Sequence, residues 1–394
     1  MGPMKILFAH CRYQQTGGED RAVEAEMAAL RAAGHDVSLL ERDNAVISTI
    51  GDKAKTAWSL PGTDALRAEL RAEIAEHAPD IVHAHNIFPL ITASLYDAAR
   101  DLGVPVVQTL HNYRNICASA LLMRDGQICE DCIGASPYQA VLHRCYRNSA
   151  LGSFALARMI AHHRGKGTWS RSVDRFIALS EFSKSRFVAA GFPTDKITVK
   201  PNSPGTLFAA RPEPKVRSGA LYVGRLSPEK GIAPLLRLWK KDWPPLRVIG
   251  DGPDAPVLDE AVRDGRAVAL GSLGSEAIND EMRRAAVCII PSRCYENFPM
   301  VIAEAYASAL PVLASNIGAL GELVQEDRTG ARFNPFDPDS MTRTIGAAFA
   351  DPDKLARWGA TAREHYEKYL TTAETTAQQT AIYVNLLTGD GASA

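Results

Sequence analysis

Two carboxylates eight positions apart have the clearest capacity for chemistry in this chain. They are Glu296 and Glu304, and Pro299 lies between them. Proline suits the first turn of a helix, because it has no N–H to lose there and its φ is already helical. The segment predicts a helix with Glu304 about one turn in and Glu296 in the loop at its positive end. Carboxylates and helix N-terminal amides together suit a polyhydroxylated, negatively charged ligand, and the alternative is a pair of solvated surface side chains.

Two cations lie upstream on one predicted loop. Residues 221–223 form an apolar run typical of a buried strand, Gly224 opens the turn after it, and Arg225 and Lys230 follow. In open α/β sheets ligands bind at this end of the strands. A forked guanidinium beside an ammonium makes a good clamp for a diphosphate. The alternative is a strand end with two solvated cations.

The N-terminal half reads as strand, loop, helix and strand. Residues 6–9 and 37–40 predict strands, 22–33 predicts a helix, and a polar loop over 14–20 holds Gly17 and Gly18. Bare glycine backbone before a helix can approach a phosphate or a sugar. The loop is not a dinucleotide fingerprint, because G-x-G-x-x-G is absent. A flexible loop that needs positive φ is the alternative.

Three histidines lie at the ends of further predicted strands. His83 and His85 belong to a strand that starts near residue 80, and His111 and Asn112 follow a strand over 106–110. Strand ends suit a ligand-binding cleft, although a lone histidine can equally be structural.

The remaining chain predicts a second sheet. Strands over 220–223, 246–249, 267–270, 287–291 and 311–314 alternate with helices, which indicates a parallel sheet covered by helices. Gly250 and Gly271 follow two of these strands. A proline-rich passage near 201–214 indicates a linker, and 394 residues fit two domains. We expect an N-terminal lobe over 1–205, a linker over 206–216, a C-terminal lobe over 217–371 and a last helix over 372–394 that returns to the first lobe.

These motifs carry a resemblance. The strings at 223–231, 249–253 and 311–315, with the two carboxylates, resemble the C-terminal half of retaining glycosyltransferases built from two Rossmann-like lobes. The resemblance extends over nearly the whole chain through four N-terminal strings, at 17–18, 80–85, 109–112 and 177–181. More narrowly, the chain resembles the family 4 (group 1) transferases, which include many bacterial polysaccharide enzymes. The resemblance implies an α/β fold of the GT-B type, with two parallel-sheet lobes facing across a cleft.

The resemblance also implies an activity. A sugar would move from a nucleoside diphosphate donor, UDP- or GDP-linked, to a hydroxyl of a glycan, lipid-linked or small-molecule acceptor, with retained configuration and no active-centre metal. The catalytic residues would be His111, Glu296, Arg225 and Lys230. The donor-binding residues would be Gly17, Gly18, Gly224, Arg225, Lys230, Gly250, Gly271, Glu296, Asn297, Phe298 and Glu304. The acceptor-side residues would be His83, His85 and Asn112.

Two other function classes remain open on the same architecture. One is a sugar-nucleotide epimerase or hydrolase, and the other is a sugar-nucleotide-binding protein without catalysis. Two Asp-x-Asp strings, at 337–339 and 351–353, are predicted to cap helices rather than to bind a metal. The resemblance has one departure at Ala309, where the family usually has glycine. Alanine costs little there unless φ is positive, so we expect only a local adjustment.

Four cysteines cluster in a predicted insertion over about 112–150. They are Cys117, Cys129, Cys132 and Cys145. Four thiolates around a central C-x-x-C suit a closed tetrahedral zinc site. Such a zinc would be structural, because four protein ligands leave no open position. Thiols without a ligand, or a redox disulfide, are the alternatives.

Charge and hydropathy set the expected partners. A net charge of −1 argues against nucleic-acid binding. Between His111 and Phe176, however, the sequence has nine Arg or Lys but only four Asp or Glu, and this basic segment includes an apolar run over 151–160. This pattern suits an amphipathic segment on anionic lipid, and the alternative is a core helix with a solvated basic end. Because the chain opens with a strand and lacks a long apolar run, we expect a cytoplasmic protein, peripheral at the inner membrane face.

Overall fold

The chain divides into two units. The computed structural model describes residues 2–13, 17–210 and 216–389. The first unit comprises Met1–Arg124, Cys129–Pro201 and Thr375–Ala394, and the second comprises Asp125–Ile128 and Asn202–Glu374. After the short segment Asp125–Ile128, the chain passes into the second unit at Asn202, four residues before the expected start of the linker at residue 206. Residues 211–215 of that linker lie outside the described residues.

The first unit is built on a parallel sheet. Its strands are β1 (Lys5–Arg12), β2 (Asp36–Asp43), β3 (Ile81–Ala84), β4 (Val106–Leu110), β7 (Arg175–Ala178) and β8 (Ile197–Val199). The short strands β5 (Met123–Arg124) and β6 (Gln127–Ile128) form a separate hairpin, whose residues 125–128 are grouped with the second unit. The helices of the first unit are α1 (Gly18–Ala32), α2 (Ile50–Ser59), α3 (Asp64–His77), α4 (Ser94–Asp101), α5 (Gln139–Leu142), α6 (Ala150–Lys166), α7 (Thr168–Arg171) and α8 (Glu181–Ala189). The sheet order is β2-β1-β3-β4-β7-β8, and all neighbours are parallel. Every residue of β3 and β4 is buried, as expected for parallel strands covered on both faces.

The second unit repeats this plan. Its strands are β9 (Ala220–Val223), β10 (Leu246–Ile249), β11 (Ala267–Gly271), β12 (Val287–Ile290), β13 (Val312–Ser315) and β14 (Gly330–Phe333). Its helices are α9 (Ile232–Leu238), α10 (Ala255–Arg263), α11 (Ser275–Arg284), α12 (Met300–Ala307), α13 (Gly318–Leu323), α14 (Pro338–Ala350) and α15 (Pro352–Tyr369). The strand order is β11-β10-β9-β12-β13-β14, the order of a dinucleotide-binding Rossmann sheet. The predicted parallel α/β fold is therefore confirmed in both sheets.

The last helix, α16 (Thr372–Thr388), begins in the second unit and continues in the first. Ile382 and Tyr383 pack in the core of the first unit with Phe8, Val107 and Ile177. The predicted last helix is thus present and adds apolar contacts to the first sheet. The two Asp-x-Asp strings also act as predicted, because Asp337 and Asp351 cap α14 and α15 with their side chains.

Two local expectations were wrong. Helix α1 begins at Gly18 and not near residue 22, because Gly17 is its N-cap and its N–H donates to the Asp20 carboxylate at 2.7 Å. Ala309 has φ of 50°, in the left-handed region, so alanine there carries strain. That strain is more than the local adjustment expected from the sequence.

No helix among residues 2–13, 17–210 and 216–389 is both long and apolar enough to span a bilayer.

Candidate active site

The strand order places two loops of the second unit side by side. Its strand order reverses between the parallel neighbours β9 and β12. Ligands of open α/β sheets bind at the carboxyl ends of the strands at such a point. The loop after β9 holds Gly224, Arg225 and Lys230, and the loop after β12 holds Glu296. A main-chain bond joins the loops, because Arg293 N donates to Glu229 O at 2.8 Å. The fold thus brings together the two motifs that the sequence singled out separately.

Lys230 and Glu296 form the centre of this site. Lys230 Nζ donates to Glu296 Oε1 at 2.6 Å, and Ser292 Oγ donates to the same oxygen at 2.7 Å. Although burial acts to lower it, the pKa of Lys230 is raised by the Glu296 carboxylate. The ammonium is therefore kept charged, with about a third of its side chain exposed to a ligand. Ser292 was missed from the sequence, since a serine beside a strand end carries no signal of its own.

Two glycines allow these loops to approach each other closely. Gly231 has φ of 70°, and a Cβ there would lie 2.0 Å from Pro291 O. Gly250 has φ of 135°, and a Cβ would lie 1.9 Å from Gly224 O. Any other residue would push the loops apart, so the glycines are required by the backbone.

The other donor-side residues occupy the same end of the sheet. Arg225 is exposed, and Tyr222 OH donates to its main-chain oxygen at 2.7 Å. Gly224 N donates to Ile249 O, and Gly250 N donates to Gly271 O, so the loops after β9, β10 and β11 are joined in sequence. The Arg225 guanidinium thus extends from a fixed main chain.

Helix α12 starts directly after the Glu296 loop. Pro299 is its N-cap, one position before the first turn predicted for it. Asn297, Phe298 and Glu304 are all buried, and Glu304 is the fifth residue of the helix. Their placement agrees with the predicted loop-to-helix arrangement.

In the first unit, His111 directly follows β4 and is hydrogen-bonded to His85. The distance from His85 Nδ1 to His111 Nε2 is 2.8 Å. Burial and the neighbouring His111 hold the pKa of His85 well below its ordinary value. Burial also lowers the pKa of His111, against the carboxylates of Glu19 and Glu26, which raise it. Both rings are therefore neutral near pH 7.

His83 is placed differently from its two neighbours. It is fully buried in β3, with Nδ1 2.6 Å from Tyr383 OH and Nε2 2.9 Å from Thr109 Oγ1. With both ring nitrogens engaged, it cannot bind an acceptor directly. We assign it a structural role that ties α16 to the sheet.

Glu26, His83 and His85 have potential metal-ligand atoms within 4.8 Å of one another. No other cluster of His, Cys, Asp or Glu in the described ranges is this close. A metal does not fit there, because both His83 nitrogens are hydrogen-bonded and Lys200 Nζ lies 3.2 Å from Glu26 Oε2. Although burial acts to raise it, the pKa of Glu26 is lowered by Lys200. Glu26 and Lys200 therefore form a buried ion pair beside the two histidines.

The glycine loop of the first unit is held by acidic side chains. His10 Nε2 lies 2.8 Å from Asp20 Oδ1, and Asp20 in turn caps Gly17. Glu19 Oε2 accepts hydrogen bonds from Tyr13 OH at 2.8 Å and from Asn112 Nδ2 at 3.4 Å. Residues 14–16 of this loop lie outside the described residues.

A pocket open to solvent lies at this end of the first sheet, where the strand order reverses between β1 and β3. Its lining includes Glu19, His85, Gln108, His111 and Asn112. It brings together His85, His111 and Asn112, which the sequence had singled out, and adds Glu19 and Gln108, which the sequence analysis missed. The position of Glu19 directly after Gly17 and Gly18 was the signal that could have found it.

The cysteine insertion contains a hairpin, with Asp125 and Gly126 at positive φ between β5 and β6. Its cysteines 117, 129, 132 and 145 form no disulfide within the described residues and are partly exposed. Burial, with the other three thiols, raises the pKa of Cys132 to about 11, so the four lie in one neighbourhood. In the part of the chain that the structure describes, their sulfurs are not close enough together to hold one metal ion. Zinc would require the sulfurs to draw closer together.

Comparisons with known proteins agree with this architecture. Residues 16–203 match the family "Glycosyltransferase Family 4", and residues 217–351 match "Glycosyl transferases group 1". The chain is 28% identical to a glycogen synthase of Mycobacterium tuberculosis, over 95% of this chain and 94% of that protein. Sucrose-phosphate synthase from Thermosynechococcus elongatus superposes with a TM-score of 0.72 at 19% identity, covering 99% of this chain and all of that one.

The Anabaena protein HepE, solved in complex with UDP-glucose, superposes with a TM-score of 0.67 at 17% identity. That match covers 98% of this chain and all of HepE. The two family matches lie on the two sheets in turn and together span most of the sequence. The chain belongs to the family 4, group 1 glycosyltransferases, with two Rossmann-like parallel sheets of the GT-B type.

Proposed function

We propose that this enzyme transfers a sugar from a nucleoside diphosphate donor to a hydroxyl, with retention of anomeric configuration and without an active-centre metal. The observation that carries the proposal is the contact of Lys230 with Glu296 at the strand-order reversal of the second unit. A charged ammonium and a carboxylate on two joined loops suit a diphosphate and a sugar. HepE, solved with UDP and with UDP-glucose, supports UDP as the nucleotide, with GDP as the second candidate.

In this proposal the cations neutralise the departing diphosphate. Arg225 and Lys230 stabilise charge that develops as the glycosidic bond breaks, a kind of contact worth about 3 kcal/mol where single donors have been removed. Glu304 holds the ribose hydroxyls and Glu296 the hydroxyls of the donor sugar. Because Lys230 already bonds Glu296, one contact would orient both the phosphate clamp and the sugar-binding carboxylate. His111 contributes a neutral ring that donates or accepts a hydrogen bond near the reacting sugar.

Product analysis tests the proposal. The full chain is incubated with UDP-glucose, UDP-galactose, UDP-N-acetylglucosamine or GDP-mannose, with and without a panel of sugar and lipid-linked acceptors. We expect a glycosylated product only with an acceptor, and proton NMR should show the anomeric configuration of the donor. Lys230→Ala should lower turnover at least about 100-fold, whereas the exposed Lys241→Ala should not. Isomerised or hydrolysed donor without any transfer would support an epimerase or hydrolase, and binding without turnover would support a non-catalytic role.

We further propose that an exposed apolar patch of the first unit docks on an anionic membrane surface. Leu151, Phe154 and Arg158 lie on one face of α6 at helical spacing. Leu151 is 84% exposed, and Trp58, 76% exposed, lies beneath the Arg158 guanidinium. Large apolar side chains next to a cation suit the interface of anionic lipid. The other face of α6 is buried, so the helix is in part the core helix that was the alternative reading.

Vesicle co-sedimentation at low salt tests this docking. We expect the full chain to sediment with vesicles that contain phosphatidylglycerol and to remain in solution with phosphatidylcholine alone. Leu151→Asp should abolish sedimentation, while Val262→Asp, at an exposed position of the second unit, should not. Absence of binding to the anionic vesicles would contradict the proposal.

A further inference from the structure

The pocket of the first unit carries polar atoms that its own protein neighbours do not satisfy. Glu19 Oε1, His85 Nε2 and Gln108 Oε1 are buried and have no hydrogen-bond partner among the residues that the structure describes. All three side chains line the same pocket. Buried polar atoms normally have partners, because leaving them without one costs about 1–3 kcal/mol each. Three such atoms around one pocket can take hydrogen bonds from water or from a ligand that replaces the water.

The two histidines define what that ligand must offer. Each neutral ring has one N–H and one bare nitrogen, and the 2.8 Å contact between His85 Nδ1 and His111 Nε2 uses one of each. Whichever ring donates, the two remaining nitrogens are one donor and one acceptor. A hydroxyl group both donates and accepts, so it suits this pair in either tautomeric arrangement.

The other polar atoms favour hydrogen-bond donors and disfavour anions. Glu19 Oε1 and Gln108 Oε1 are both acceptors. No arginine or lysine is present in the described lining of the pocket. The nearest basic residue in sequence, Arg114, donates instead to Ala118 O and lies over the Phe88 ring. A phosphate or carboxylate would therefore meet a carboxylate without a compensating cation.

We propose that this pocket binds an uncharged, hydroxylated group of the acceptor, a sugar or polyol ring without a phosphate, through Glu19 and Gln108. This inference rests on the proposed function and names the acceptor chemistry of the same enzyme. The ring can belong to a free sugar, the end of a glycan or a lipid-linked sugar, since all three present the same hydroxyls. Glu19 positions the ring by accepting hydrogen bonds from its hydroxyls, and Asn112 holds Glu19 from the other side.

Titration of the full chain with small probes tests the inference. The uncharged probes are the methyl α-glycosides of glucose, galactose and mannose, the anionic probe is glucose 6-phosphate, and the cationic probe is glucosamine. Ligand-observed NMR should detect at least one glycoside, with affinity at least about tenfold above those of glucose 6-phosphate and glucosamine. Comparable or tighter binding of either charged sugar, or binding of none of the glycosides, would overturn the inference.

Matched variants locate the binding. Glu19→Ala and Gln108→Leu should each weaken the glycoside by about tenfold, the value of one lost hydrogen bond. Glu24→Ala, on an exposed turn of the same helix, should leave it unchanged. Thermal unfolding verifies that each variant is folded. If either Glu19→Ala or Gln108→Leu does not fold, the other still tests the subsite. Wild-type affinity in both would contradict the subsite.

A parallel titration with UDP separates this inference from the proposed function. UDP affinity should be the same in wild type and Glu19→Ala. The side chains proposed to bind the nucleotide, Arg225, Lys230 and Glu304, belong to the second unit, and the Gly17 main chain is held by Asp20 and not by Glu19. Failure of the wild type to bind any nucleoside diphosphate would contradict the proposed function, whatever the glycosides do. Normal UDP binding with no glycoside effect in Glu19→Ala would contradict the subsite alone.

Discussion

At the scale of single residues, the site depends on pairs that the sequence separates widely. Lys230 and Glu296 are 66 positions apart, and each was identified by its own motif. Their direct contact was not predicted, because sequence spacing does not report distance between two loops. The same holds for Glu26 and Lys200, which are 174 positions apart and form a buried ion pair that the sequence analysis did not include. Residue types at strand ends could be predicted, but their partners required the fold.

Ala309 offers a direct test of backbone strain. The φ of 50° at Ala309 costs alanine about 1–2 kcal/mol in the folded state, and glycine would avoid this strain. Glycine also increases the conformational entropy of the unfolded chain, which offsets part of the gain. We therefore expect Ala309→Gly to raise the free energy of unfolding by about 0.5–1 kcal/mol, measured by urea denaturation. The control Ala347→Gly, at an exposed position inside α14, should lower it by about 1 kcal/mol. Destabilisation by Ala309→Gly would show that the left-handed conformation is not a source of strain.

At the scale of elements, strands and helices with clear periodicity were predicted well. β10 was predicted to the residue, and the last helix was predicted with the start that the structure shows. Helix α1 was predicted to start too late, because two adjacent glycines resemble a loop, whereas here Gly17 caps the helix through Asp20. The capping contact depends on Asp20, whose carboxylate is shared with the buried His10.

Helix α16 fixes the first sheet through one buried hydrogen bond. In Tyr383→Phe, the Nδ1 atom of His83 would lose its partner in a fully buried position. We expect a loss of about 1–3 kcal/mol in the free energy of unfolding, measured by urea denaturation. Tyr369→Phe, at a partly exposed position in α15, serves as the control and should change it little. Equal stability of the two variants would argue that the bond from α16 does not support the sheet.

The cysteine insertion remains a proposed zinc element. If its thiols bind zinc, elemental analysis of the purified protein should give about one zinc per chain, and a chelator should lower the midpoint of thermal unfolding. Cys132→Ser should lose the metal, whereas Cys288→Ala, in the buried β12, should retain it. Less than one metal per several chains would leave the four residues as unliganded thiols.

At the scale of the whole molecule, buried histidines link stability to pH. Burial lowers the pKa of His163 to about 4, and its Nδ1 lies 3.0 Å from Thr168 Oγ1. Because the folded pKa is below the ordinary value near 6.5, the unfolded chain binds more protons in this range. The contribution of His163 is therefore complete above pH 6.5 and is lost as the pH falls toward 4.

Chemical denaturation at two pH values measures this linkage. Between pH 7.5 and 5, His163→Gln should lose about 2 kcal/mol less stability than the wild type, because one titrating group is removed. His77→Gln, at the exposed end of α3, is the matched control and should follow the wild type. An identical loss in His163→Gln and wild type would contradict the assignment of a low pKa to His163.

The central claim is that the strand-end loops of the second unit bind the diphosphate of an activated sugar. Isothermal titration of the full chain with UDP and with GDP tests it most directly. The account predicts binding of at least one nucleotide and an affinity loss of about tenfold to 100-fold in Arg225→Ala, whose exposed side chain leaves the fold intact. Lys241→Ala should bind as the wild type does. Absence of binding by both nucleotides, or wild-type affinity in Arg225→Ala, would contradict the account.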